Sequence, residues 1–547
     1  FAGWNTAANG SGTGYSGGNT FAMGSSNVTL YAQWTAVDYT VTYNGNTNTG
    51  GVVPTDGSVY NITDTVTVLG NTGSLVRTGY TFTGWNTAAN GSGTSYTGGD
   101  TLAMGSSNVT LYAQWVGNTS SGSEGGSYTT LNNIVIEVNG QLQDAGKAST
   151  ISIDGKTVTT ISVDSTKLNK ILEASEEKPR VTLLGSGGPG TVVGELTGQI
   201  VKYMEAKEAT LIIKTEKAVY TLPTSQINID AVASNLGSHS ALKDIQVSVS
   251  IADSPADTVK IVEDAIRKGN YQLVIMPVEF EITCTNGSRT VKVSRFSGYV
   301  ERMLAVPDGV DPSKITTGIV LNADGTFRHV PTSIVMIEGK YYVKISSLTN
   351  SIYSVLYSPV EFRDVSSHWA KDAINDMGSR MVVSGIGGGI YEPARSITRA
   401  EFAAIIVKAM GLEIDTAESS FGDVSLTDWF NGYVGTANTY GLIKGYDSTS
   451  YRPNEIITRE QAMTILDKAM KITGLSVSLA DSEISSLLAE YKDGSDVSGY
   501  AKASVAGCLK ADVVNGSSAT TLSPKGYVTR AEVAVMVQRL LQKSGLI

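Results

Sequence analysis

Three stretches at the C-terminal end of the chain follow one plan, and any fold must accommodate all three at once. With Arg399, Arg459 and Arg530 as origins, Gly385, Gly445 and Gly516 each come 14 residues earlier, and Pro393, Pro453 and Pro524 each six earlier. Asp364, Asp423 and Asp493 precede the same origins by 35, 36 and 37 residues. After each Arg, apolar residues recur at helical spacing, as in Phe402, Ile405, Ile406, Ala409 and Met410, which marks one face of an amphipathic helix. Thr398 with Glu401, Thr458 with Gln461 and Thr529 with Glu532 form the T-x-x-E/Q capping pattern, so the three helix starts are fixed locally. An earlier helix in each unit carries Trp369 with Ile374, Trp429 with Val434, and Tyr500 with Val505.

The other end of the chain is a different material. Residues 1–127 hold no Lys and six charged residues, whereas the remaining 420 of 547 carry 86. Phe1–Trp34 returns almost unchanged at Phe82–Trp115, which signals an array. In the second copy Val109, Leu111, Ala113 and Trp115 alternate with Thr110, Tyr112 and Gln114, the period of a half-buried strand, and Asn90-Gly91 and Gly98-Gly99 supply turns. That copy alone has an upstream half, beginning with Tyr39–Tyr43, so the chain is expected to start inside a repeat and to be a C-terminal fragment. Residues 116–127 include the run Thr119–Ser127, which has the composition of a flexible Gly/Ser linker.

Two resemblances follow from these residues. The pattern GYTFTGWNT followed by VTLYAQW is similar to the internalin-B-type (Listeria-Bacteroides) repeat, a β-grasp-like module of bacterial surface proteins. It covers residues 39–115, with a partial copy at 1–34, and implies an extracellular stalk or adhesion module. The segments opening FRDVSSHWAKDAI, FGDVSLTDWFNGYV and YKDGSDVSGYAKASV resemble three tandem S-layer homology (SLH) modules at 361–415, 420–475 and 488–547. This second resemblance implies an all-α, pseudo-threefold helical bundle. Its inter-module grooves would hold secondary cell-wall polysaccharide, often through a pyruvylated and hence anionic sugar, with other S-layer subunits as further partners.

The residues point the same way on physical grounds. An Arg just inside a capped helix start joins a guanidinium to free backbone N–H groups and the positive end of the helix dipole, a corner that suits a carboxylate. Alternatively each Arg pairs with Asp364, Asp423 or Asp493. Trp369, Trp429 and Tyr500 either pack in the core, the commoner use of an aromatic on an amphipathic helix, or stack on a sugar ring. Gly385, Gly445 and Gly516 either let a polymer approach the backbone or serve as turn residues. These twelve residues are the candidate binding set. The third unit departs from the plan, with Tyr500 in place of Trp and Leu522 where Tyr391 and Tyr451 stand. Replacing Arg399 and Arg459 with Ala is expected to weaken wall binding and leave the helices intact.

Residues 128–358 read as an α+β spacer or assembly region. Strand alternation appears at Ile134, Ile136 and Val138 and at Phe280, Ile282 and Cys284, with helices near 164–175, 194–207 and 256–269 and one option of a division near Ser250. Gly185-x-Gly187-x-x-Gly190 after an apolar run mimics a dinucleotide fingerprint, but Pro189 inside the loop favours a plain Gly-rich turn. The three histidines, His239, His329 and His368, have no metal-ligand spacing, Cys284 reads as a buried apolar residue, and Glu176-Glu177 lies in a charged, solvated stretch. No cofactor or metal is expected. A net charge of −10 disfavours nucleic acid or an anionic membrane as partner, and no apolar run is long enough to insert in a bilayer.

The fold expected is therefore multidomain, with N-terminal β-rich repeats, a central α+β region and a C-terminal all-α bundle. The function expected is non-enzymatic, the non-covalent wall anchoring of an S-layer-associated or adhesin-like surface protein. The alternative is the wall-anchoring C-terminal part of an exported polysaccharide-degrading enzyme whose catalytic domain lies upstream.

Overall fold

The computed structural model describes the chain except residues 78–79, 90–93, 118–128, 132–135, 154–155, 176–177, 186–189, 238–240, 270, 288, 323–324, 416 and 418. The Asn90-Gly91 turn, most of the 116–127 linker, Ile134, Glu176-Glu177, His239 and the middle of the GxGxxG loop lie outside the described residues. Two units are distinguished, Phe1–Gly126 and Ser127–Ile547.

In the first unit the complete repeat is a four-stranded sheet in the order Val41–Asn44, Val109–Gly117, Tyr80–Asn86, Ser95–Tyr96. The first two strands are parallel and the others antiparallel, and Thr65–Thr67 pairs with Thr101–Ala103 beside them. The period-2 alternation puts Leu111 and Ala113 in the core. Trp85 is 1% exposed, its indole donating to Leu69 O at 2.9 Å and its ring meeting Tyr43 edge to face at 4.7 Å. Trp4, at the equivalent place in the partial repeat, is 41% exposed.

The second unit opens with two broad sheets. One includes Gly146–Ile153, Lys156–Val163, Gly190–Thr197, Gln246–Asp253, Gln272–Asn286 and Ile352–Tyr357 as successive neighbours. The other includes Ile136–Val138, Arg180–Leu184, Thr210–Lys214, Ala218–Pro223, Arg295–Ala305, Lys340–Thr349 and Thr332–Ile337. Ile161 and Phe280 from the first and Leu183, Ile213 and Val300 from the second share one core with residues of α1 (Ser165–Glu173), α2 (Gly198–Ala206) and α3 (Ile229–Leu236). A fourth helix, α4, spans Ala256–Gly269.

Two expectations are corrected here. Residues 194–197 belong to a strand rather than to a helix, because the Thr197 side chain accepts from Ile200 N and so caps α2, which starts at Gly198. No division falls near Ser250, which pairs with Val193 on one side and Glu281 on the other in mid-sheet. The Gly-rich loop ends in the strand Gly190–Thr197, so the helix start that a dinucleotide fingerprint requires is not there. Cys284 is buried and its thiol is pushed up to about 12 by that burial.

The C-terminal part is helical: α5 (Lys371–Ser379), α6 (Arg399–Ala409), α7 (Asn431–Thr439), α8 (Arg459–Ile472), α9 (Asp481–Ala489), α10 (Lys502–Lys510) and α11 (Arg530–Lys543). All three T-x-x-E/Q capping boxes form as read. Packing runs in a ring, α6 on α7, α8 on α10 and α11 on α5. Short bridges Thr398↔Ile456, Thr458↔Tyr527 and Ser396↔Thr529 join the segments before the three long helices around a pseudo-threefold axis. One apolar core fills the ring, with Phe402, Leu466 and Val537 wholly buried. The molecule thus has the β-rich, α+β and all-α parts expected.

Candidate functional site

Each candidate arginine opens a helix and reaches out of its own module into the next. Arg399 donates its backbone N–H to Glu455 O at 2.9 Å, Nε to Tyr451 O at 2.9 Å and Nη2 to Lys444 O at 3.3 Å. Arg530 repeats this toward the first module, with its backbone on Arg395 O at 2.9 Å, Nε on Tyr391 O at 2.8 Å and Nη2 on Ser384 O at 2.6 Å. Arg459 donates its backbone to Gly526 O and Nη2 to Asn515 O, both at 2.8 Å, and pairs Nη1 with Glu532 at 2.8 Å. The guanidinium groups of Arg399 and Arg530 lie 4.6 and 4.4 Å over the rings of Tyr451 and Tyr391. Those phenols donate back to Arg399 O and Arg530 O, each at 2.9 Å. Leu522 cannot do this, and at the third junction the Arg459–Glu532 ion pair stands in its place.

This geometry corrects the expectation of a free helix start. The backbone N–H of Ala400, Glu460 and Ala531 donates to Pro453 O, Pro524 O and Pro393 O, each at 3.0 Å. Together with the Arg N–H bonds and the capping threonines, the orphan donors at each helix start are all spent on protein. The arginines do not pair with the aspartates either. They are 5 to 7% exposed clamps between modules, so their replacement is a change to the interior rather than to the surface.

Asp364, Asp423 and Asp493 each hold a turn. Each carboxylate accepts two successive backbone N–H groups: Tyr391 and Glu392 at 2.9 and 2.7 Å, Tyr451 and Arg452 at 2.8 and 2.7 Å, Leu522 and Ser523 at 2.8 and 2.7 Å. The second residue of each pair has a left-handed φ, +60° at Glu392, +58° at Arg452 and +52° at Ser523, so the aspartate holds a strained turn. Burial raises the three carboxyl pKa values, and these N–H donors bring each of them below the ordinary value.

Gly385, Gly445 and Gly516 are glycine because their turns have no room for a Cβ. Such an atom at Gly445 would stand 2.4 Å from Asp447 O and 2.6 Å from the Phe421 ring, and the other two face Phe362 and Tyr491 in the same way. The aromatic residues run opposite to the core reading: Trp369, Trp429 and Tyr500 are 68, 62 and 62% exposed.

What the ring brings together is one residue from each module. A groove of about 650 Å³ is lined by Arg399, Gly445, Tyr446, Gln461, Lys468 and Tyr500 among others. A second, of about 310 Å³, is lined by Arg459, Gly516, Glu532, Arg539 and Trp369. At the remaining junction Arg530 Nη2 meets Ser384 O beside Gly385. Lys408, Lys468 and Arg539 follow the three origins by nine residues, and this recurring positive charge is absent from the candidate set although the internal alignment places it.

Comparison with known proteins agrees with this architecture. The family model of the S-layer homology domain matches residues 361–403, 420–463 and 490–534, and that of the Listeria-Bacteroides repeat domain matches 1–33 and 39–114. Among curated relatives, the chain is 27% identical over 391 residues to an amylopullulanase of Thermoanaerobacterium thermosulfurigenes, covering 71% of this chain and 19% of the relative. It is 36% identical over 197 residues to the exoglucanase XynX of Acetivibrio thermocellus (36% and 18%) and 38% identical over 114 residues to endo-1,4-beta-xylanase A of Thermoanaerobacterium saccharolyticum (21% and 10%). The chain spans about a fifth of the length of the first two. A match over 71% of the chain must take in its middle, so the similarity to the amylopullulanase extends into the central α+β region.

These relatives overturn the expectation of a non-enzymatic, adhesin-like surface protein, since they are enzymes by name that carry the same segments. S-layer homology domains in general bind secondary cell-wall polysaccharide. The chain therefore has a cell-surface, S-layer-type architecture, with Listeria-Bacteroides repeat domains at 1–33 and 39–114 and three S-layer homology domains within 361–534 that place it outside the cell at the wall.

Proposed function

We propose that this chain is the wall-anchoring part of an exported polysaccharide-degrading enzyme whose catalytic domain lies in preceding sequence, and that its helical ring binds secondary cell-wall polysaccharide. The observation that supports it is that two grooves of one ring each set an exposed aromatic beside a buried arginine and a further basic residue, Tyr500 with Arg399 and Lys468, and Trp369 with Arg459 and Arg539. Trp369, Trp429 and Tyr500 offer ring faces to sugars. Lys468, with Arg399 beneath, offers positive charge to an anionic unit such as a pyruvylated sugar. Asp364, Asp423, Asp493 and the three glycines shape the turns that border the grooves. More than one groove on one body adds avidity, so modest single contacts give durable attachment.

The test is co-sedimentation of the whole chain with purified Gram-positive-type walls before and after chemical removal of the secondary polysaccharide. Binding that disappears with the polymer is the expected result. Binding that survives its removal would make other surface-layer subunits or the remaining wall the partner. The enzymatic part is tested by assaying the full-length gene product for reducing ends released from xylan, cellulose and α-glucan.

A further inference from the structure

The three junctions share one plan but not one charge, and the difference sits at one helix position. The third residue of each capped helix is Glu401, Gln461 or Glu532. In every case its oxygen accepts the cap N–H, from Thr398 at 2.9 Å, Thr458 at 3.1 Å and Thr529 at 2.8 Å. Capping requires an acceptor oxygen and does not dictate charge. The rest of that side chain faces the arginine. Glu532 lies 2.8 Å from Arg459 Nη1, and Glu401 lies 3.8 Å from Arg530 Nη1 and 2.6 Å from Arg395 Nη2. Gln461 instead donates to the Tyr446 phenol at 3.3 Å. Arg399 is left with carbonyl oxygens and the rings of Tyr446 and Tyr451, and no carboxylate pairs with it among the described residues.

The walls of this groove reinforce the imbalance. Lys444, Lys468 and Lys471 line it with Arg399, against the single carboxylate of Asp467. That carboxylate is already engaged by Lys471 and by Ser504 Oγ, both at 3.1 Å. Burial, followed by the charges of Lys444 and Lys471, lowers the Lys468 pKa, so an entering anion would relieve repulsion. The groove at Arg459 sets Arg459 and Arg539 against Glu532 and has no such surplus.

Resting on the wall-binding reading above, we propose that the Arg399 groove takes the anionic unit of the wall polymer, that Gln461 sets this preference by leaving the guanidinium without a carboxylate, and that the groove at Arg459 takes an uncharged unit. A carboxylate ligand at Arg459 must displace or face Glu532, and like charges side by side in a groove oppose binding strongly.

Calorimetric titration of the whole chain with two probes decides this: a methyl hexopyranoside bearing a 4,6-pyruvyl ketal, and the same glycoside without the ketal. The wild type is expected to take one equivalent of the ketal. Gln461→Glu should weaken it about tenfold or more, and Glu532→Gln should open a second ketal site. Both substitutions keep a capping oxygen already used elsewhere in the ring, and a thermal melt verifies folding. Equal ketal affinity in wild type and Gln461→Glu, or more than one equivalent ketal site in the wild type, would overturn the proposal. If Gln461→Glu does not fold, the number of sites in Glu532→Gln decides. A wild type that binds neither wall nor probe refutes the wall-binding reading itself, whereas binding indifferent to positions 461 and 532 refutes the charge assignment alone.

Discussion

Tyr391 and Arg530, 139 residues apart, hold each other from both ends: the Tyr391 hydroxyl donates to Arg530 O at 2.9 Å, and Arg530 Nε donates to Tyr391 O at 2.8 Å. The guanidinium lies 4.4 Å over the ring between these bonds. This contact joins the last module to the first and closes the ring. Its counterpart at Arg399 and Tyr451 joins the first module to the second.

Loss of such a clamp should register as stability before it registers as binding. Arg530→Ala leaves the carbonyls of Tyr391 and Ser384 without their donors, at a cost of about 2–4 kcal/mol. Arg530→Lys should recover little, because an ammonium cannot span both carbonyls and lie flat on the ring. Urea unfolding followed by helical circular dichroism measures this, and a change below about 0.5 kcal/mol, typical of a surface site, would contradict the clamp.

Tyr451→Phe isolates one half of the contact. The ring and its packing stay while the hydroxyl that donates to Arg399 O is lost, which predicts a destabilisation of about 1 kcal/mol. Leu522→Phe at the third junction has no such bond to lose. Its effect should follow overpacking alone, and comparison of the two urea midpoints separates hydrogen bond from volume.

Acid should loosen the ring. Asp364, Asp423 and Asp493 ionise more readily folded than unfolded, since the backbone N–H donors outweigh the opposing effect of burial. Their stabilisation is fully present above the unfolded-chain carboxyl value of about 4 and is lost as pH falls through the lower folded values. Urea midpoints taken from neutral pH downward should drop in that window. The Asp364→Asn, Asp423→Asn, Asp493→Asn triple variant should show a flatter profile and a lower midpoint at neutral pH.

Two glycines in one module should respond with opposite sign. Gly445→Ala forces a methyl group against Asp447 O and the Phe421 ring and should cost about 1–3 kcal/mol. Gly435 lies inside α7, where an added methyl group would meet nothing within 4 Å, so its replacement by Ala should gain about 0.5–1 kcal/mol. Thermal melts of the two variants provide the comparison.

Trp369→Ala tests the grooves apart from the clamps. The indole is 68% exposed, so the ring should keep its melting temperature while the fraction of chain pelleted with cell walls falls severalfold. A lower melting temperature with unchanged pelleting would return Trp369 to a structural role.

How far the sequence reached is visible residue by residue. The capping threonines, the apolar helix faces and the alternation from Val109 to Trp115 act over a few positions, and all took the form their spacing implies, because helix caps and strand pleats are decided by near neighbours. Residue 197 shows the limit, where a strand runs straight into a capped helix and periodicity alone blurs the border.

The candidate site divides along the same line. Sequence alone selected the arginines, the aromatics, the glycines and the aspartates, since a motif repeated three times exposes its fixed positions by self-alignment. It could not say that the grooves at Arg399 and Arg459 each take arginine, glycine and aromatic from three different modules, nor that the aspartates hold turns and the tryptophans face solvent. Those facts depend on which helix end meets which turn 52 or 139 residues away, as in Arg399 with Tyr451 and Arg530 with Tyr391. Only closure of the ring, which satisfies the helix-start N–H groups with the next module's carbonyls, settles them.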